Sequence, residues 1–125
     1  MSPEASDRIL QSLEDMLEAI DTMAAFVADA DRDQFSRDLK TIHAVRSVFI
    51  TLGEAAGRLP EDFRDAHPDI PWKKVRDFRN FMVHVYDRID TGLLWDTAIE
   101  SVPPLRKPVA TLIETVRRSE DDERS

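Results

Sequence analysis

Apolar residues recur every three or four positions along almost the whole chain, and that rhythm leaves little besides a helical bundle for it to fold into. Ile9, Leu13, Met16, Leu17, Ile20, Met23, Ala24 and Val27 form one run, which lays a continuous apolar stripe along one side of a helix. Ser2 and Pro3 suit its N-cap and first turn. After the polar break DADRD at 29–33, Phe35, Leu39, Ile42, Val45, Phe49, Leu52, Ala56 and Leu59 repeat the pattern, with Gly57 and Pro60 marking the exit of a second long helix. Residues 61–70, EDFRDAHPDI, have room for at most one short helical turn, because Pro68 and Pro71 restrict the residues before them. Pro71 can open a third helix running to about His84. Asp90 suits the cap of the last one, whose stripe is Trp95, Ala98, Val102, Leu105, Val109, Leu112 and Val116. Pro103, Pro104 and Pro108 interrupt its hydrogen bonds but leave the stripe in phase, which predicts a helix kinked or broken at Pro103-Pro104 and packed on one neighbour throughout. No segment reads as a strand, and glycines number only three. The expected fold is all-α, an up-and-down bundle of four to five helices.

A chain of 125 residues fits one domain with a real apolar core. Residues 1–118 form that expected domain, and 119–125 an acidic, frayed tail. The absence of cysteine rules out disulfides and thiolate metal sites and suits a reducing cytoplasm. The first residues carry Glu4, Asp7, Glu14 and Asp15 where a secretory signal would need a basic start and an apolar block, and no apolar run approaches membrane-spanning length. A cytoplasmic protein with no membrane partner is expected. A net charge of −8 argues against a general nucleic-acid binder. The run WKKVRDFR from Trp72 to Arg79 is the local exception, with Lys73, Lys74, Arg76 and Arg79 against the single acid Asp77.

That basic run leads into RNFMVHVYD, Arg79 to Asp87, where an arginine, a histidine and the only tyrosine fall within eight residues. On an ideal helix at about 100° per residue, Val75, Phe78, Phe81, Met82 and Val85 take the core side, while Lys73, Arg76, Asp77, Asn80 and His84 take the opposite one. Arg79 and Tyr86 share a line at the margin of the apolar stripe, with Arg79 roughly 140° around from His84. The two meet at one phosphate only if the helix loosens near His84, if Arg79 reaches around, or if a second chain completes the site. His43 and His67 form no ligand pair with His84 at metal spacing, so no metal is expected. Trp72 and Trp95 read as packing residues, and Glu14, Asp15 and Glu18 as a solvated acidic face.

The run PWKKVRDFRNFMVHVYDRIDTGLLWDTA resembles the HepT-like toxins of the HEPN superfamily, whose signature is an arginine, four to six residues, a histidine, and a tyrosine two further on. Here these are Arg79, His84 and Tyr86, with Asn80 matching the asparagine that often follows the arginine. Pro71-Trp72 before them, and Ile89-Asp90 and Trp95 after them, are also similar to the family. The resemblance implies an all-helical fold and a metal-independent endoribonuclease with no cofactor, acting as the toxin of a toxin–antitoxin system. It implies homodimers whose motif helices face each other, an RNA substrate, and a nucleotidyltransferase antitoxin of the MNT type that adds AMP to Tyr86. The residue types suit this chemistry. His84, with a reference pKa near 6.5, can take the proton of a ribose 2′-hydroxyl or give one to the leaving oxygen. Arg79 can hold the phosphate through its planar fork. Asn80 can orient the imidazole or the RNA, with Arg76 and Lys73 supporting RNA binding. AMP on Tyr86 can compete for Arg79. The rival readings are a non-catalytic HEPN-type module that binds a nucleotide or a partner protein, and a plain helical adaptor.

Overall fold

The computed structural model describes residues 2–84 and 90–124, apart from the side chains of Val83, His84 and Arg124. Among the described residues it is helical throughout: α1 (Pro3–Val27), α2 (Arg32–Arg37), α3 (Leu39–Gly57), α4 (Glu61–Asp65), α5 (Trp72–His84), α6 (Thr91–Glu100), a 3₁₀ turn (Pro103–Leu105) and α7 (Arg106–Arg124). The longer helices α1, α3, α5, α6 and α7 make the expected bundle, and α2 and α4 are single short pieces within its connections. Helix α1 lies between α3 and α7, and α3 carries α5 on its other side. The core is apolar: Leu13 and Met16 of α1, Val45, Phe49 and Leu52 of α3, Val75 of α5 and Val109 of α7 are all sealed from solvent.

The ends of the helices follow local chemistry. Ser2 caps α1, its hydroxyl accepting from the Ala5 amide at 3.1 Å. Asp90 does the same for α6, accepting from Leu93 at 3.0 Å, so the predicted cap is in place. The expected break at Pro103-Pro104 appears as the 3₁₀ turn between α6 and α7, and α6, the turn and α7 all stay packed against α1. Pro108 interrupts nothing, because it falls in the first turn of α7, where backbone N–H groups have no helical acceptor in any case. Helix α7 continues through residues 119–124.

One expectation needs correction. The predicted second helix is two helices, broken at Asp38. Asp31 forms a capping box with Gln34 that starts α2. Asp38 then leaves helical geometry (φ −103°, ψ 88°) and caps α3 by accepting from the Thr41 amide at 3.1 Å and the Thr41 hydroxyl at 2.6 Å. The Thr41 hydroxyl, then its amide, hold the Asp38 carboxyl below its ordinary pKa. The break turns Leu39, expected on the stripe, out to solvent at 67% exposure, while Phe35 stays buried with its ring 5.2 Å from Trp95. The acids expected to form a solvated face are partly used as well: Asp15 pairs with Arg58 at 2.8 Å and Glu14 with Arg117 at 2.7 Å. These exposed pairs tie α1 to its neighbours at modest gain. Among the described residues no helix is long and apolar enough to cross a membrane.

Candidate functional site

Helix α5 has one principal neighbour, α3, and this leaves both its flanks open. Phe78 anchors it, with its ring 5.1 Å from Phe49 in an edge-on contact, and Val75 is fully buried beside it. At the N-terminal end Trp72 is buried, and its indole N–H donates to the His67 carbonyl at 2.9 Å. The packing role read for Trp72 and Trp95 therefore holds.

On the α3 side a groove of roughly 600 Å³ runs between the two helices, lined by Lys73, Arg76, Asp77, Arg79 and Asn80 of α5 and by Gly53, Glu54, Gly57 and Arg58 of α3. The four predicted site residues whose side chains are described, Arg79, Asn80, Arg76 and Lys73, all line this one opening. The wheel had set Arg79 apart from the other three. Its long side chain instead swings to the groove, where Nε lies 3.5 Å from Glu54 Oε1 and Nη1 is within 3.5 Å of Asn80 Oδ1. Both contacts are at the outer limit for such bonds, and Arg79 and Glu54 are about half exposed. Glu54 stands where an incoming anion would sit. Lys73 reaches Asp77 at 3.9 Å, and Arg76 makes no ion pair among the described residues. The groove therefore offers a planar fork and a second guanidinium with no ion pair among the described residues, in a chain of net charge −8.

Sequence reasoning missed the wall opposite Arg79. A Cβ placed on Gly53 would lie 2.7 Å from the Cβ of Arg79, 2.9 Å from its backbone nitrogen and 3.1 Å from the Val75 carbonyl. Only glycine lets the two backbones approach this closely, and the seat of Arg79 depends on that approach. The available signal was a glycine in the interior of a helix, which costs helix propensity unless packing demands it. Gly53→Ala should cost about 1–3 kcal/mol by overpacking, a fall in Tm of roughly 5–10 °C, and should weaken phosphate binding with it. Gly57→Ala, whose Cβ meets nothing within 4 Å, should leave Tm unchanged or slightly raised. Thermal melts of the two variants side by side check this.

On the α6 side lies a second groove, apolar, between α5 and α6, with Pro71, Trp72, Phe78, Phe81, Met82 and Leu93 in its lining. Phe81 and Leu93 are 41% and 46% exposed there. Lys73 and Asp77 border both grooves, forming the ridge between them.

His84 is the last residue of α5 and its side chain is outside the described set; Tyr86 lies outside the described residues altogether. Among the described residues no three His, Asp or Glu side chains gather closely enough to hold a metal ion. His67 instead packs its ring 4.8 Å from Phe63, and His43 is exposed on α3.

Comparison with known proteins agrees with the motif. A family model described as "Ribonuclease HepT-like" matches residues 16–112, which include the whole groove. A protein of Thermococcus cleftensis named "Probable ribonuclease HepT" is 36% identical over 94 residues, covering 75% of this chain and 86% of its own length. A Methanocaldococcus jannaschii protein named as a "Putative RNase" is 33% identical over 110 residues, covering 88% and 91%. Another so named, from Caldanaerobacter subterraneus, is 30% identical over 103 residues, covering 82% and 91%. No solved structure gives a significant match. With the match spanning most of the chain and the motif helix at its centre, the protein belongs to the HepT-like family.

Proposed function

We propose that this protein is a metal-independent endoribonuclease, the toxin of a two-component toxin–antitoxin pair, with Arg79 and His84 as its reacting residues. The observation that carries this reading is the groove itself: the arginine of the motif is about half exposed beside Asn80, Arg76 and Lys73, and among the described residues the Glu54 carboxylate at 3.5 Å is its ion-pair partner. A single-stranded RNA phosphate seated on the Arg79 fork displaces Glu54. The adjacent 2′-hydroxyl oxygen then attacks phosphorus as the bond to the 5′-oxygen breaks. His84 moves the proton, and Arg79 stabilises the charge growing on the phosphoryl oxygens.

Arg79 is turned toward α3, and five residues of helix put position 84 about 140° around the axis from it. On an ideal helix, positions 79 and 84 therefore face different directions. We assign the complete site to a homodimer in which Arg79 of one chain works with His84 of the other. The exposed Phe81 and Leu93 on the other flank of α5 support this pairing, since they give two copies an apolar surface beside the motif helices.

Control is assigned to Tyr86. An MNT-type nucleotidyltransferase joins the tyrosine oxygen to the α-phosphorus of ATP with release of pyrophosphate, and the AMP phosphate then occupies the Arg79 fork in place of RNA. The test is cleavage of a single-stranded RNA in EDTA by wild type and by Tyr86→Phe, each before and after incubation with antitoxin and ATP. Wild type should cut without metal and fall silent on modification, and Tyr86→Phe should stay active. Full wild-type activity after adenylylation overturns the occlusion model. Intact RNA in every lane favours the rival reading, a module that holds phosphate without cutting.

A further inference from the structure

Helix α3 touches the motif helix at a second point, away from the phosphate groove. The Arg46 Nε donates a hydrogen bond to the backbone carbonyl of Met82 at 3.0 Å, a half-buried contact that joins residues 36 apart in the chain. Met82 lies two residues before His84 on the same turn of α5. Arg46 and Gly53 are seven residues apart, two turns on the same side of α3. Gly53 fixes the backbone of Arg79 and Arg46 fixes the turn that carries His84, so α3 holds the motif at both ends.

We propose that Arg46 is a positioning residue for His84. Its guanidinium braces the turn of α5 that contains Met82 and His84, and so the backbone that carries the imidazole. This rests on His84 being the proton carrier, though the contact itself does not. A surface arginine placed for solubility alone would not spend its side chain on a carbonyl inside the α3–α5 interface. The sequence does not announce this role, because Arg46 lies outside the motif run and meets it only through packing.

The experiment compares Arg46→Met, which keeps the apolar stem and removes the donor, with Arg46→Lys, which can still donate to the carbonyl. Arg46→Met should lower kcat for RNA cleavage about 10- to 100-fold, because misplacement of a reacting group by a fraction of an ångström is costly. KM should stay within about twofold of wild type, since the phosphate groove is held separately at Gly53. Arg46→Lys should recover most of kcat. In NMR spectra the His84 imidazole signals, assigned by their loss in His84→Asn, should shift or broaden in Arg46→Met while the indole N–H signals of Trp72 and Trp95 stay in place. Wild-type kcat or unmoved His84 signals in Arg46→Met overturn the proposal. So does a loss that moves the indole signals equally and resists rescue by lysine, which marks a general packing role. If wild type cuts no RNA, the nuclease reading fails and the His84 signals alone decide whether Arg46 positions that residue.

Discussion

Removing the imidazole in His84→Ala should lower the rate of RNA cleavage about 100- to 10,000-fold, the range that a positioned proton carrier contributes. The effect should fall on kcat, because the phosphate groove is built without residue 84: Lys73, Arg76, Arg79 and Asn80 line it from earlier turns of α5, and α3 supplies its other wall. Binding of uncleaved RNA should therefore persist. Since position 84 falls on the side of the helical wheel away from the core, the melting temperature should change little. Steady-state kinetics on a fluorogenic single-stranded substrate, with a filter-binding assay beside it, separate the two quantities. Wild-type cleavage by His84→Ala would remove residue 84 from the chemistry.

Arg79→Ala should reduce kcat/KM about 100- to 1,000-fold, comparable to losing a principal donor to a developing oxyanion. Here ground-state binding falls too, because the same fork holds the phosphate before and during reaction. Arg79→Lys should recover little, as an ammonium cannot present two parallel donors. Glu54→Gln should act in the opposite direction. Its carboxylate, 3.5 Å from Arg79, competes with RNA, yet both side chains are about half exposed. An exposed pair is worth at most about 1 kcal/mol, so RNA affinity should rise no more than about fivefold. The stability of Arg79→Ala should stay close to wild type, since the guanidinium's contact with Glu54 on α3 is a half-exposed pair at 3.5 Å. A melting temperature that falls together with activity would mean that Arg79 serves the α3–α5 packing instead.

The fold was legible wherever local signals and periodicity agreed. Ser2, Asp90 and the Pro103-Pro104 pair mark helix ends by chemistry that acts within four residues, and each acts as read. The break at Asp38 was hidden, because the apolar stripe from Phe35 to Leu59 stays in phase across it and an aspartate inside such a run looks like a solvated residue. What decides is that Asp38 finds two hydrogen bonds at Thr41, a choice between capping and helix that spacing alone does not resolve. The same division runs through the site. Lys73, Arg76, Arg79 and Asn80 lie close in sequence and could be read together, and they line one groove. Gly53, Glu54 and Arg46 stand on another helix and reach α5 only through tertiary packing. The ideal wheel also put Arg79 apart from Asn80 and Arg76, because a wheel places Cβ atoms and takes no account of a long guanidinium drawn toward a carboxylate on the next helix.

Two inactive proteins can test the two-chain site directly. Arg79→Ala and His84→Ala, co-expressed so that subunits mix at random, give half their dimers as mixed pairs. In each mixed pair one of the two composite sites has both its arginine and its histidine. The proposed site predicts about a quarter of wild-type cleavage from this mixture, against almost none from either parent. Cleavage no higher than that of the parents, in a sample whose mass confirms mixed dimers, would place both residues of each site on one chain and contradict the shared groove.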